Sequence, residues 1–355
     1  MTYTPGPGDE GYCPKSSLLP PKLVARATIA AAKALVETGG QTDYGRVRSE
    51  VVRGFANEFA RAYGMRAVDI SEWLERCAYN AAARDAFVKA LQSLEYSTLT
   101  PEHFGHVHEQ LCAWKIGDGK LVSSSERRGG GVHFTPRELT EPIVRHTLEP
   151  LVYEGPAEGK PREAWVLKSA KAILDLSVCD PAMGAGAFLL EAVRQLAQWV
   201  IAAGGETNLL IAKRVVTVCC IYGVDISPWA VAAAKIALWL ECRAEDMPNE
   251  WLDDHLKCGD ALLGVTSVDQ LARFHLSPDG KTKKGEPIPE IPGLRRHIEN
   301  GLALVMQLRR ERKAFLVSAA RGDMTGAAAA APLFERGPYS LQWRDKKPAD
   351  RQVTR

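Results

Sequence analysis

Residues 173–190 read ILDLSVCDPAMGAGAFLL. An apolar run ends in Asp180-Pro181-Ala182, turns through Gly184 and Gly186, and continues into a helix-like run near Phe188. The run 172–178, AILDLSV, predicts a strand whose Ile173, Leu174, Leu176 and Val178 face both sides of a covered sheet. The run 188–201, FLLEAVRQLAQWVI, predicts a helix with Leu189, Val193, Leu196 and Val200 along one stripe. Glycines at a strand-to-helix turn let backbone and ligand approach closely.

The same texture repeats downstream. Residues 215–226, VVTVCCIYGVDI, predict a second strand. Residues 227–240, SPWAVAAAKIALWL, predict a second helix with Ser227 as cap and Pro228 at its first position. Residues 254–264, DHLKCGDALLG, hold a short third strand. Strands alternating with helices in this way imply an α/β fold with a parallel sheet. Beyond Gly264 the pattern dissolves into a proline-rich loop, a basic helix over 294–320 and an Ala- and Pro-rich coil.

Upstream the chain reads differently. Residues 1–20 are polar, rich in Pro and Gly, and expected to be a flexible N-terminus without a signal peptide. Residues 21–115 predict a helical domain: 22–40 ending at Gly39-Gly40, 47–64, and 71–94 with Ser71 as cap. His103, His106 and His108 lack metal-ligand spacing and read as structural or surface histidines, so no metal is expected. The segment 123–152 predicts a mobile glycine loop followed by a helix capped by Thr135, with Pro136 at its first position. The α/β core is thus expected over 116–265, and a basic helical extension with a flexible tail over 266–355.

Composition fits a soluble globular protein, with 46% apolar and 25% charged residues. No apolar run reaches a membrane span, so a cytoplasmic protein with no membrane partner is expected. The eight cysteines lack CxxC spacing, and Cys179, Cys219, Cys220 and Cys258 read as reduced core residues. A net charge of +2 does not by itself imply nucleic acid, although 281–313 and the tail are basic.

In an open parallel sheet, ligands sit beyond the carboxyl ends of the strands. Asp180, Asp225 and Asp260 each follow a predicted strand. A dinucleotide turn needs GxGxxG, whereas residues 184–189 read GAGAFL, and a pyrophosphate would be repelled by Asp180. S-adenosylmethionine carries an ammonium, a ribose and an adenine. Asp180 suits the ammonium, Asp225 the two ribose hydroxyls and Asp260 the adenine amino group. Thr135 and the helix start beside it suit the methionine carboxylate.

At this point four motifs, in order, resemble those of the N6-adenine DNA methyltransferases. DPAMGAGAFL resembles the first motif of that family, and HFTPRELTEPIV resembles the segment before it, with Phe134 where tyrosine is usual. IYGVDISPWAVAAAKIALWL resembles the second motif and KCGDALLG the third. LTPEHFGHVHEQL resembles the lead segment of the large members, with His108 in the place of a tyrosine. The likeness covers residues 98–265 and is strongest to the large methylases of type IIG restriction-modification and of phage-defence systems such as BREX and DISARM. It implies a Rossmann-like class I methyltransferase core, here a partial parallel sheet preceded by a helical domain. It also implies a cofactor site of Phe134, Thr135, Pro136, Asp180, Pro181, Ala182, Gly184, Gly186, Phe188, Asp225, Ile226, Asp260, Ala261 and Leu262.

The family's catalytic motif, Asn/Asp-Pro-Pro-aromatic, accepts hydrogen bonds from the target amine and stacks on the flipped base. Leu19-Pro20-Pro21-Lys22 and Gly337-Pro338-Tyr339 do not qualify, so no catalytic residue is assigned. A sheet that stops before the fourth strand would leave its first strand as a bare edge, which proteins cover. The expectation is therefore a split enzyme acting on double-stranded DNA, with a second chain bringing the catalytic motif and the target-recognition domain. Three alternatives stay open: a non-catalytic cofactor- or DNA-sensing member of a defence complex, a methyltransferase of protein or RNA, and a truncated, inactive fragment.

Overall fold

The computed structural model describes residues 20–65, 78–124, 133–247 and 249–323. The expected lead before residue 20, the Ser71 cap, the triple-glycine loop, the coil beyond 323 and the Gly337-Pro338-Tyr339 stretch lie outside these residues. Two compact units form, residues 1–261 and 262–355.

The first unit opens with helices. α1 (Pro21–Lys33) runs through a wider final turn to Thr38 and ends at Gly39, with Gly40 at φ +68°. α2 spans Tyr44–Ala62, and Asp43 caps it by accepting from the Arg46 N–H. α3 spans Ala81–Leu91, a shorter helix than expected, because Asn80 caps it by accepting from the Ala83 N–H at 2.8 Å. Gly54 of α2 gives α3 room, since a Cβ there would meet Leu91 Cδ1 at 2.6 Å. α4 (His103–Cys112) starts where His103 Nδ1 pairs with the Thr100 N–H at 2.9 Å, and both His103 and His108 are buried. A hairpin follows, β1 (Trp114–Gly117) against β2 (Lys120–Ser123), turning through Asp118 and Gly119 at φ 51° and 68°. Positive φ at both turn residues matches the strand twist, and Asp-Gly supplies it.

α5 (Arg137–Val152) leads to a short antiparallel pair, β3 (Tyr153–Glu154) with β4 (Val166–Leu167). Pro136, not Thr135, is the N-cap of α5, and no side chain caps it. Pro136 sits at ψ 150°, outside the helix, so the first helical residue moves on to Arg137.

The sheet has three parallel strands, β5 (Val178–Asp180), β6 (Ile221–Asp225) and β7 (Leu256–Cys258), in the order β5-β6-β7. Two predicted strands are much shorter than expected. Residues 170–174 form a short helix, α6, because Ser169 accepts from the Ala172 N–H. Residues 209–220 form α8, because Asn208 accepts from the N–H groups of Leu210 and Ile211 at 2.8 and 3.2 Å. The β-branched run Val215 to Val218 prefers a strand in isolation, but the cap and burial against α7 outweigh that preference.

α7 (Ala187–Ala202) holds the predicted stripe, with Leu189, Val193, Leu196 and Val200 no more than 1% exposed. Burying each such side chain contributes about 1.5–3 kcal/mol. α9 (Pro228–Glu241) is capped by Ser227 as expected and is buried nearly all round, between β6 and β7 on one side and α4 and α2 on the other. That sandwiching explains a helix apolar on every face.

A buried ionic cluster joins the helices. Arg194 of α7 bonds Glu241 of α9 at 3.0 Å and also reaches Glu102 before α4. Lys213 of α8 lies 2.8 Å from Glu241, and Arg137 lies 3.3 Å from Glu191. Burial alone would raise the Glu102 carboxyl, but Arg194 holds it down to about 2, and Arg194 with Lys213 holds Glu241 lower still.

The second unit contains α10 (Val268–Ala272), which packs against the basic helix α11 (Leu294–Ala320). Ser267 and Gln270 cap α10 reciprocally. No helix among the described residues is long and apolar enough to cross a membrane.

Candidate functional site

The site lies where β5 and β6 end. After Asp180 the chain makes a tight turn that β6 holds in place: the Met183 N–H donates to the Val224 carbonyl at 3.0 Å. The Gly184 N–H donates to Asp225 Oδ2 at 2.9 Å, and the Ser227 N–H donates to Asp225 Oδ1 at 2.8 Å. One carboxylate thus joins the glycine turn to the start of α9. The Asp225 carbonyl also accepts from the Gly259 N–H at 2.9 Å, which brings the turn after β7 alongside.

Gly184 and Gly186 lie in the left-handed region that favours glycine, at φ +53° and +83°. Gly186 is the N-cap of α7, and a Cβ there would press on Ala234 Cβ at 3.2 Å. A Cβ on Gly184 would meet no protein atom within 4 Å. The chain therefore bends there toward open space. Gly223 is a third glycine the site needs, since a Cβ on it would overlap the buried Met183 sulfur and meet Leu189 Cδ1 at 2.9 Å. Its signal in the sequence is only a glycine inside a strand.

Asp180 Oδ1 accepts from the Ala182 N–H at 3.0 Å. Partial burial raises the Asp180 carboxyl above its ordinary range, the Ala182 N–H lowers it, and the charge of Asp225 raises it again. Two carboxylates placed together in this way favour a cationic ligand. Gly184→Val is accordingly expected to abolish ligand binding at this turn, measured by titration calorimetry with S-adenosylmethionine as the probe. The branched side chain would fill the open space and be strained at positive φ, by about 1–3 kcal/mol. Gly184→Ala should give an intermediate loss; unaltered affinity in both would remove the glycine turn from the site.

Pro181, Ala182 and Ile226 are exposed, Ile226 by 71%, and Phe188 is half-buried. Asp260 and Ala261 are exposed just beyond β7, while Leu262 opens the second unit. Cys179 and Cys258, expected in the core, are exposed: Cys258 ends β7, and Cys179 lies in β5, which pairs on one side only among the described residues. Cys219 and Cys220 are buried as expected.

Phe134 lies elsewhere, on α4. Its ring covers Gly105, where any Cβ would collide with it, and meets the His106 ring at 5.1 Å. Thr135 is half-buried and Pro136 exposed. Glu109 sits between His106 and His133, with Nδ1 distances of 3.7 and 3.5 Å. Among the described residues no group of three or more His, Cys, Asp or Glu could hold a metal ion.

Residues 157–260 match the family model described as MmeI, DNA-methyltransferase domain. That span runs from the β3–β4 connection through β7 to Asp260, so it contains the glycine turn, Asp180 and Asp225. A Methanocaldococcus jannaschii protein provisionally described as a type II restriction enzyme and methyltransferase is 27% identical over 212 residues. The match covers 47% of this chain and 17% of that relative. The solved structure of the type IIL restriction-modification enzyme MmeI in complex with DNA aligns with a TM-score of 0.40 at 14% identity, over 74% of this chain and 45% of that one. The chain therefore spans less than half the length of either protein it matches. The segment carrying the candidate site is similar to a DNA-methyltransferase domain.

Proposed function

We propose that this chain binds S-adenosylmethionine for an N6-adenine DNA methyltransferase of a restriction-modification or phage-defence system. In this reading residues 116–265 belong to a Rossmann-like class I core. The observation that carries it is the pair Asp180 and Asp225, set on one glycine turn that opens to solvent at Gly184. The similarity of residues 157–260 to a DNA-methyltransferase domain supports it.

When bound, S-adenosylmethionine supplies an electrophilic methyl group on a sulfonium. The residues of this chain hold the ligand. Asp180 takes the ammonium. Asp225 accepts from the ribose hydroxyls with lone pairs that the Gly184 and Ser227 N–H groups leave free. Asp260 accepts from the adenine amino group, with Ile226 and Ala261 beside it. Thr135 and the first N–H groups of α5 face the methionine carboxylate.

This sequence holds no Asn-Pro-Pro-aromatic motif. β5 pairs on one side only among the described residues. We place the catalytic motif and the reading of double-stranded DNA on polypeptide outside these residues that adds to this edge, tested first as a partner chain, in the cytoplasm. The test is titration calorimetry with S-adenosylmethionine on the chain alone and after co-expression with the neighbouring reading frame. Native mass spectrometry identifies the partner. Binding in either form supports the cofactor reading, and methylation of adenine in duplex DNA by the complex alone supports the split. Binding without methylation in any form would favour a sensing subunit, and no binding in either form would overturn the cofactor reading.

A further inference from the structure

The segment 134–137 is pinned at both ends. Phe134 is seated on Gly105 and His106 of α4. Arg137, the first residue of α5, places Nε 3.3 Å from Glu191 Oε2. Glu191 lies on the second turn of α7, the helix that leaves the glycine turn, and its side chain is only 2% exposed. Its Oε1 accepts from Gln195 Nε2 at 2.8 Å, and the same amide donates to the Glu141 carbonyl of α5 at 3.0 Å. Glu191 Oε2 makes no hydrogen bond although it is buried; it faces Arg137 and, at 3.7 Å, Arg194. Arg137 itself stays 42% exposed.

We propose that Arg137, docked on Glu191, is a positioning residue for the carboxylate end of bound S-adenosylmethionine; this rests on the cofactor reading above. No side chain caps α5, and Pro136 offers no N–H, so nothing local sets where this helix begins relative to the glycine turn. The ion pair, with the Gln195–Glu141 hydrogen bond further along α5, sets it. Glu191 is joined through α7 to Gly186, and Arg137 directly follows Thr135 and Pro136. Together the two links fix where Thr135 lies relative to Asp180, the groups proposed to hold the carboxylate and the ammonium of the methionine part. Because Arg194 also faces Glu191, removing Arg137 does not strand a buried carboxylate, and the variant should keep its fold.

The test is calorimetry of wild type and Arg137→Ala, as chain and as complex, with S-adenosylmethionine and with its decarboxylated analogue, which lacks only that carboxylate. Arg137→Ala should weaken S-adenosylmethionine about tenfold. It should leave the analogue within about twofold of wild type, and Arg137→Lys should recover part of the loss. Equal loss for both ligands, or no loss, overturns the positioning role and leaves the cofactor reading standing. Failure of wild type to bind either ligand in either form overturns both.

Discussion

Replacing Asp225 with alanine is expected to weaken S-adenosylmethionine by at least about a hundredfold. Hydrogen bonds to a charged group contribute about 1.5–3 kcal/mol each, and two ribose hydroxyls are proposed to donate to this carboxylate. Each 1.4 kcal/mol is about tenfold in affinity. The same carboxylate holds the Gly184 and Ser227 N–H groups, so its loss also frees the glycine turn and the start of α9. Asp225→Asn separates the two contributions only in part, because its amide NH2 must face one of those N–H donors. Titration calorimetry checks the expectation, and unchanged affinity in Asp225→Ala would mean that the acid ending β6 does not face the ligand. Asp180 adds a pH dependence. Its carboxyl is raised by burial, by more than the Ala182 N–H lowers it. Affinity for the cationic ligand should therefore start to fall at a higher pH than an ordinary aspartate would give.

Arg194→Met is expected to destabilise the first unit by about 3–5 kcal/mol, the usual effect of removing one partner from a buried ionic cluster. Arg194 faces Glu102, Glu191 and Glu241, and it ties α7 both to α9 and to the segment before α4. Lys213 still neutralises Glu241, but Glu102 loses the cation that holds its carboxyl near 2. The midpoint of thermal unfolding should drop by on the order of 10 °C. The sign with pH follows from depressed carboxyls. In wild type their contribution is full above the ordinary carboxylate range and is lost as pH falls from about 5 toward about 2. The gap between wild type and Arg194→Met should therefore narrow as the pH is lowered through that window. A midpoint shift of less than about 2 °C at neutral pH would show that the cluster contributes no more than a surface pair.

Some of this architecture can be read directly in the residues, and the reason is local. Ser227-Pro228 starts a helix because an acceptor and a fixed φ suffice there. The α7 stripe is visible because Leu189, Val193, Leu196 and Val200 recur at the helical period. Asp180 and Asp225 are visible because each ends a strand. Other features mislead or stay hidden. Residues 172–174 and 215–220 look extended, but they belong to helices capped by Ser169 and Asn208. The Asp118-Gly119 hairpin carries a plain turn signal that the helical texture around it obscures. Thr135 looks like a cap, but Pro136 takes that place.

The sequence by itself determined the order of strand, glycine turn and helix, the acids at the strand ends and the glycines that permit the turn. Those follow from backbone sterics and short-range hydrogen bonding, which a few consecutive residues specify. Only the tertiary structure decided that Asp225 holds Gly184 across 41 residues, that Phe134 rests on Gly105, and that Arg137 docks on Glu191. These contacts join segments far apart in the chain. Their energies exist only once the helices have packed and water has left the charges between them.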